Sequence, residues 1–152
     1  MAQGREVNTI QPKEVLQTLS KARVTLTNYL GGEYYITVDE TILRGDSVEM
    51  IEGKHSKNSL LPSSGDIKDG LVKMILYSNL TEVEVDGLVV KAEAKLLLTS
   101  GKIVGELRST SSLSDRVRFS SVNKLSAKQS LLIDTLFNEA ETNNFEVIIK
   151  QV

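Results

Sequence analysis

Apolar residues recur at three- and four-residue steps through Val15, Leu16, Leu19, Ala22, Leu26, Tyr29 and Leu30. That spacing draws one stripe along a helix. Pro12 suits its first turn, where a missing N–H costs nothing. Gly31-Gly32 suits its end, because glycine accepts the left-handed backbone of a C-cap. The pattern predicts a helix over 12–30, preceded by a polar, loose segment 1–9. Glu33 to Val38 is rich in β-branched and aromatic residues and reads as a strand. A second strand-like run occupies 41–51, with Arg44-Gly45-Asp46 read as a turn rather than an adhesion tripeptide. Gly, Ser, Asn and Pro then dominate 53–66, which predicts a long polar loop. Ile67, Leu71, Met74 and Ile75 favour a short helix over 67–78.

Alternation is clearest between 81 and 109. Asp86-Gly87 is a two-residue hairpin signal that pairs Val85 with Leu88 and Val83 with Val90. Ser100-Gly101 offers a second tight turn, pairing Leu98 with Ile103 and Ala94 with Leu107. Both registers put Val83, Val85, Leu88, Val90, Ala92, Ala94, Leu96, Leu98, Ile103 and Leu107 on one face. They also set Glu82 against Lys91, Lys95 against Glu106 and Glu93 against Arg108 on the other. Residues 109–115 form a polar connection, and 116–122 read as a short strand. Ser126 and Gln129 form a capping box. It opens a helix carrying Leu131, Leu132, Leu136, Phe137 and Ala140 and ending at Asn143-Asn144. Residues 145–152 read as a last strand, placed at a sheet edge. These elements predict an α+β fold in one domain over 1–152: a mainly antiparallel sheet, with a meander at 81–109 and two amphipathic helices packed on one face.

Composition narrows the chemistry. Apolar residues make up 40% and charged residues 25% of the 152, a globular mixture. The 18 basic and 20 acidic residues leave a net charge of −2, which argues against extended nucleic acid as a partner. With no cysteine and one histidine, His55, disulfides, thiolate catalysis and multi-histidine metal sites drop out. No apolar run approaches the roughly 20 residues of a membrane span. The opening MAQGREVNTIQP has no signal-like apolar segment, which predicts a cytoplasmic protein without membrane attachment.

Motifs are weak. Gly53-Lys54 lacks the rest of a phosphate-binding loop, and His55 has no visible orienting partner for a catalytic triad. The segment 33–52 carries six acids and one base. Asp39, Glu40, Asp46, Glu49 and Glu52 have a spacing that could hold a hard cation, but a solvated hairpin face is the reading preferred. In many magnesium-dependent nucleases an acid precedes Asp/Glu-x-Lys on the next strand. The carboxylates bind metal and the lysine steadies the water or the phosphate. Asp86 followed by Glu93-Ala94-Lys95 matches that order over three residues. Lys54, His55 and Lys57 in one segment, with Arg108, Arg116 and Arg118 in another, offer guanidinium and ammonium donors for a nucleotide-like anion. Val89, Leu97 and Val104 form an apolar cluster on the charged face, with Leu97 opposite Val104, and mark a contact surface. The leading expectation is therefore a non-enzymatic adaptor without cofactor or metal, acting through protein contacts as a homo-oligomer. A binder of an anionic ligand comes next, and the magnesium-dependent nuclease third.

Overall fold

The computed structural model describes residues 17–27 (side chains from Val24), 30–85 and 87–152. Three long strands open the chain: β1 (Gln17–Thr27), β2 (Glu33–Arg44) and β3 (Ser47–Ser56). Helix α1 (Ser64–Ser78) follows. A short hairpin, β4 (Glu84–Val85) and β5 (Leu88–Val89), leads into β6 (Lys91–Ser100) and β7 (Glu106–Arg108). Helices α2 (Leu113–Val122) and α3 (Ala127–Asn143) precede β8 (Glu146–Gln151). Six strands make one sheet in the order β1-β2-β3-β6-β8-β7.

The sheet is mixed. β1, β2 and β3 form an antiparallel meander, β6 runs parallel to both β3 and β8, and β7 closes antiparallel on β8. The crossovers β3→β6 and β6→β8 step in the same direction. Right-handed connections of that kind put their helices on the same face of a sheet. Ile67, Met74 and Tyr77 of α1 and Ile133, Leu136, Phe137 and Ala140 of α3 accordingly share one core with Val48, Met50, Ala94, Leu96, Leu98, Val147 and Ile149 of the strands.

The hairpin signal at 86–87 holds. Val85 pairs with Leu88, and the Val90 N–H donates to the Val83 carbonyl at 2.8 Å. So do the capping box at Ser126 and Gln129 and the end at Asn144, whose φ of 57° is left-handed. Gly45, at φ 57°, makes the turn between β2 and β3. The region 67–78 lies in α1.

Several expectations are corrected. Residues 17–27 of the expected helix 12–30 form β1, bonded along β2; residues 12–16, 28 and 29 lie outside the described residues, as does the segment 1–9. The loop 53–66 shrinks, since 53–56 extend β3 and 64–66 start α1. The run 41–51 is the end of β2 and the start of β3. The antiparallel meander over 81–109 does not form beyond its first hairpin, because β3 and β8 occupy both sides of β6 and send β7 to the far edge of β8. Its inner face is nevertheless buried at Val85, Ala94, Leu96, Leu98, Ile103 and Leu107, whereas Leu88 is exposed. Residues 116–122 are helical, and the last strand is internal rather than at an edge.

Candidate functional site

The β2–β3 ladder runs from Arg44↔Ser47 to Glu40↔Ile51 and stops there. Beyond that rung β3 continues along β6, pairing Glu52 with Leu96 and Lys54 with Leu98. The Gly53 N–H, without a rung of the β2 ladder, donates instead to the Asp39 carboxylate at 3.0 Å. Glu52 and Lys54 are two residues apart on a strand and project to one face. Their register partners Leu96 and Leu98 belong to the helix-covered core, so both side chains run in beneath α1.

Helix α1 presents Asp69, Lys73 and Tyr77 at four-residue steps, the spacing of one helical face. The Lys54 ammonium lies 2.6 Å from Asp69 Oδ2 and 3.1 Å from Glu52 Oε1. Lys73 donates to the Thr37 carbonyl at 3.0 Å, and the Tyr77 hydroxyl donates to the same carbonyl at 3.4 Å. Burial, then the charges of Glu52 and Asp39 and the closeness of the hydroxyl to the Glu52 carboxylate, push the Tyr77 phenol far up, so it stays protonated. The hydrogen bond to Asp69 comes first in holding Lys54 above its ordinary value, and Lys54 in turn holds Asp69 below its own. The helix sits this close because residue 70 is glycine. A Cβ there would meet Leu96 Cδ1 at 2.6 Å and Lys54 Cε at 3.6 Å.

Glu52 is 4% exposed while Asp39 is exposed, so the pair spans the protein surface and its interior. Among the described residues, two buried side-chain oxygens lack a hydrogen-bond partner: Glu52 Oε2 and Thr41 Oγ1. Buried polar atoms are nearly always satisfied, and an ionised oxygen is the costliest to leave bare. Both orphans lie on the helix-covered face, where Thr41 pairs with Met50, one strand repeat from Glu52. No group of three or more His, Asp or Glu side chains forms a closed metal cage among the described residues. Two carboxylates are nevertheless the donor set that magnesium commonly takes from protein, with waters and phosphate oxygens completing the shell.

Of the nuclease-like order expected at Asp86, Glu93 and Lys95, the described residues hold Glu93 and Lys95 alone. Glu93 and Lys95 lie on the opposite face, and Asp86 lies outside the described residues. Lys95 pairs with Glu49 at 2.8 Å and Glu146 at 3.3 Å rather than with Glu106. The same order, an acid followed by Glu-x-Lys on the next strand, occurs as Asp39 and then Glu52-Gly53-Lys54. In the sequence Gly53 reads as the start of a loop, which splits Glu52 from Lys54 and hides this order. The run Val48–Ile51 pointing through Gly53 into the next β residues was the available signal.

The expected anion-binding residues do not converge. Lys54 is in the site just described. His55 projects from the other face of β3 and bonds Thr99 Oγ1 at 2.9 Å, and Lys57 is exposed in the β3–α1 connection. Arg108, on β7, is separated from β3 by β6 and β8 and binds Glu106 at 2.6 Å and Glu146 at 3.1 Å, not Glu93. Arg116 donates to the Ser109 carbonyl at 3.0 Å and lies 4.7 Å over the Phe137 ring, while Arg118 pairs with Asp115. The apolar trio is scattered too. Val89 and Val104 are exposed, but Leu97 sits mid-strand with Gly53 and Ile148 as neighbours, not Val104.

On that same face an ion-pair chain crosses the sheet: Arg44–Glu49–Lys95–Glu146–Arg108–Glu106. It links β2, β3, β6, β8 and β7. Burial raises the Glu49 carboxyl, but hydrogen bonds from Lys95 and Arg44 outweigh it and hold the group below its ordinary range. No helix among the described residues is long and apolar enough to cross a membrane. No protein-family model matches the chain, and no curated protein or solved structure matches it either.

Proposed function

We propose that this chain is a divalent-metal-dependent phosphodiesterase acting on nucleic acid, with its centre at Asp39, Glu52 and Lys54. The observation that carries this reading is Glu52 Oε2, a buried carboxylate oxygen that accepts no well-formed hydrogen bond, on a strand where Lys54 lies 3.1 Å from the other Glu52 oxygen and the Gly53 N–H binds the Asp39 carboxylate. With the neighbouring Tyr77 hydroxyl donating to the Thr37 carbonyl, that oxygen is open to a cation or water, and the flanking groups suit magnesium or manganese. When bound, such an ion supplies Lewis-acid polarisation of the phosphate and a water of lowered pKa.

The chain's own groups do the rest. Asp39 and Glu52 hold the cation at the point where β2 and β3 part. Gly53 fixes the Asp39 carboxylate through its N–H. Lys54 has two contacts to carboxylates, which leaves one ammonium proton for a phosphate oxygen or the attacking water. Tyr77, kept protonated, backs the Glu52 carboxylate from the helix side. Between 54 and 73 the chain carries four lysines and two aspartates, which offset the Asp39 and Glu52 carboxylates at this rim. Lys57 and Lys68 are exposed there to meet a polyanion.

The test is cleavage of labelled DNA duplex, single-stranded DNA and RNA with magnesium, manganese or chelator. Cleavage should require metal and fall by about 10²-fold or more in Glu52→Gln and Lys54→Met, the loss typical of removing a principal electrostatic group. Manganese should also raise the melting temperature of the unaltered protein but not of Glu52→Gln. Absence of both metal binding and cleavage overturns the reading. The adaptor and anion-ligand readings have less behind them, since Val89, Leu97 and Val104 form no common patch and the basic residues are spread over β3, the β3–α1 connection, β7 and α2.

A further inference from the structure

Lys54 stands between two acids of different character. Glu52 is buried, with a side chain 5% exposed, and Asp69 reaches in from α1 with 66% of its side chain exposed. Coulomb attraction is stronger in the less hydrated setting, so an ammonium free to choose would settle on Glu52. It sits instead closer to Asp69, at 2.6 Å against 3.1 Å, and touches Oε1 of Glu52 but not Oε2.

The geometry points to Asp69 as a positioning residue. It draws the Lys54 ammonium toward α1, which keeps the Glu52 carboxylate open to a cation and sets the lysine to one side, where a phosphate oxygen arrives. This inference rests on the reading of Asp39, Glu52 and Lys54 as a metal-phosphate site. It adds a residue from a different element, and it explains why α1 is pressed onto the stem of Lys54 through Gly70. Without Asp69 the ammonium collapses onto Glu52 and occupies the place of the metal.

The experiment measures manganese affinity by calorimetry and cleavage kinetics for Asp69→Asn, Lys54→Met and the double variant. Asp69→Asn should weaken manganese binding and lower kcat by about 10–100-fold, the usual cost of losing a group that orients a metal-site residue, with KM for the nucleic acid little changed. Asp69→Glu, which keeps the charge on a longer arm, should recover part of both. In the Lys54→Met background Asp69→Asn should have no further effect on manganese affinity, because no ammonium remains to be steered. An equal loss in both backgrounds overturns the inference and makes Asp69 a plain electrostatic contributor. An Asp69→Asn protein that binds metal and cleaves normally overturns it and leaves the proposed function standing. An unaltered protein that neither binds manganese nor cleaves overturns the function and takes this inference with it. Thermal melts of each variant separate these outcomes from loss of fold, and with Asp69 largely exposed the fold should survive.

Discussion

Lys95 is the residue whose energetic role changes most between its sequence neighbourhood and its place in the sheet. In the expected meander its partner is one exposed acid, Glu106, and such pairs contribute only about 0–1 kcal/mol. In the folded sheet its side chain is 16% exposed and bridges Glu49, 8% exposed, and Glu146, 20% exposed. Lys95→Met keeps most of the stem volume and removes the charge. A hydrogen bond to a charged group contributes about 1.5–3 kcal/mol, and breaking a fully buried pair costs about 3–5 kcal/mol. The upper range is not reached, because Glu49 keeps Arg44 at 2.8 Å and Glu146 keeps Arg108 at 3.1 Å. The expected loss is about 2 kcal/mol. Urea unfolding followed by circular dichroism reads it directly, as a midpoint shift of about 1 M for a slope near 2 kcal/mol per M.

The pH dependence carries a sign. The folded-state pKa of Glu49 is depressed, so its contribution is present above its ordinary value of 4.5 and fades as pH falls through the folded value. Burial lowers the Lys95 pKa, but Glu49 and Glu146 together raise it above 10.5, so its contribution is present below 10.5 and is lost as pH rises through the folded value. The gap between the unaltered protein and Lys95→Met should therefore be widest at neutral pH and narrow in acid and in strong alkali. A gap below about 0.5 kcal/mol at pH 7, or one that widens in acid, refutes the buried-bridge account.

Other expectations follow from single contacts. Leu96→Ala, at a position with no exposure, should destabilise by about 2–5 kcal/mol in the same assay. Gly70→Ala should cost about 1–3 kcal/mol through its clash with Leu96, and much less in the Leu96→Ala background, where the added methyl has room. Asn123 bonds the Val104 N–H at 2.7 Å and the carbonyls of Val104 and Phe119, so Asn123→Ala should cost about 1–3 kcal/mol, read as a lowered unfolding midpoint.

Much of the local structure was legible. The tip of the β4–β5 hairpin, the capping box of α3 and the left-handed Asn144 depend on a few adjacent residues, and each formed where its signal stood. The sequence carries two further start signals: Ser63 accepts from the Asp66 N–H at the start of α1, and Ser112 accepts from the Asp115 N–H at the start of α2. The second would have turned 116–122 from strand to helix. The stripe Leu19, Ala22, Leu26 misled because a helical period can occur by chance in a strand, while Thr18, Val24, Thr25 and Thr27 argued the other way. Of the candidate site, all three residues were visible as chemistry. Asp39 and Glu52 stood among possible cation ligands and Lys54 among anion ligands, but nothing local joined them.

By itself the sequence determined an α+β chain, its hairpin tips, its caps and the inward alternation Ala94, Leu96, Leu98, because each follows from torsional preference and burial over a few residues. Tertiary structure alone decided that β6 lies between β3 and β8, that Lys95 bridges two acids from other strands, and that Asp69 meets Lys54 across 15 residues. Those pairings cost chain entropy that local pattern does not register, and they are settled by which faces the whole core can bury together.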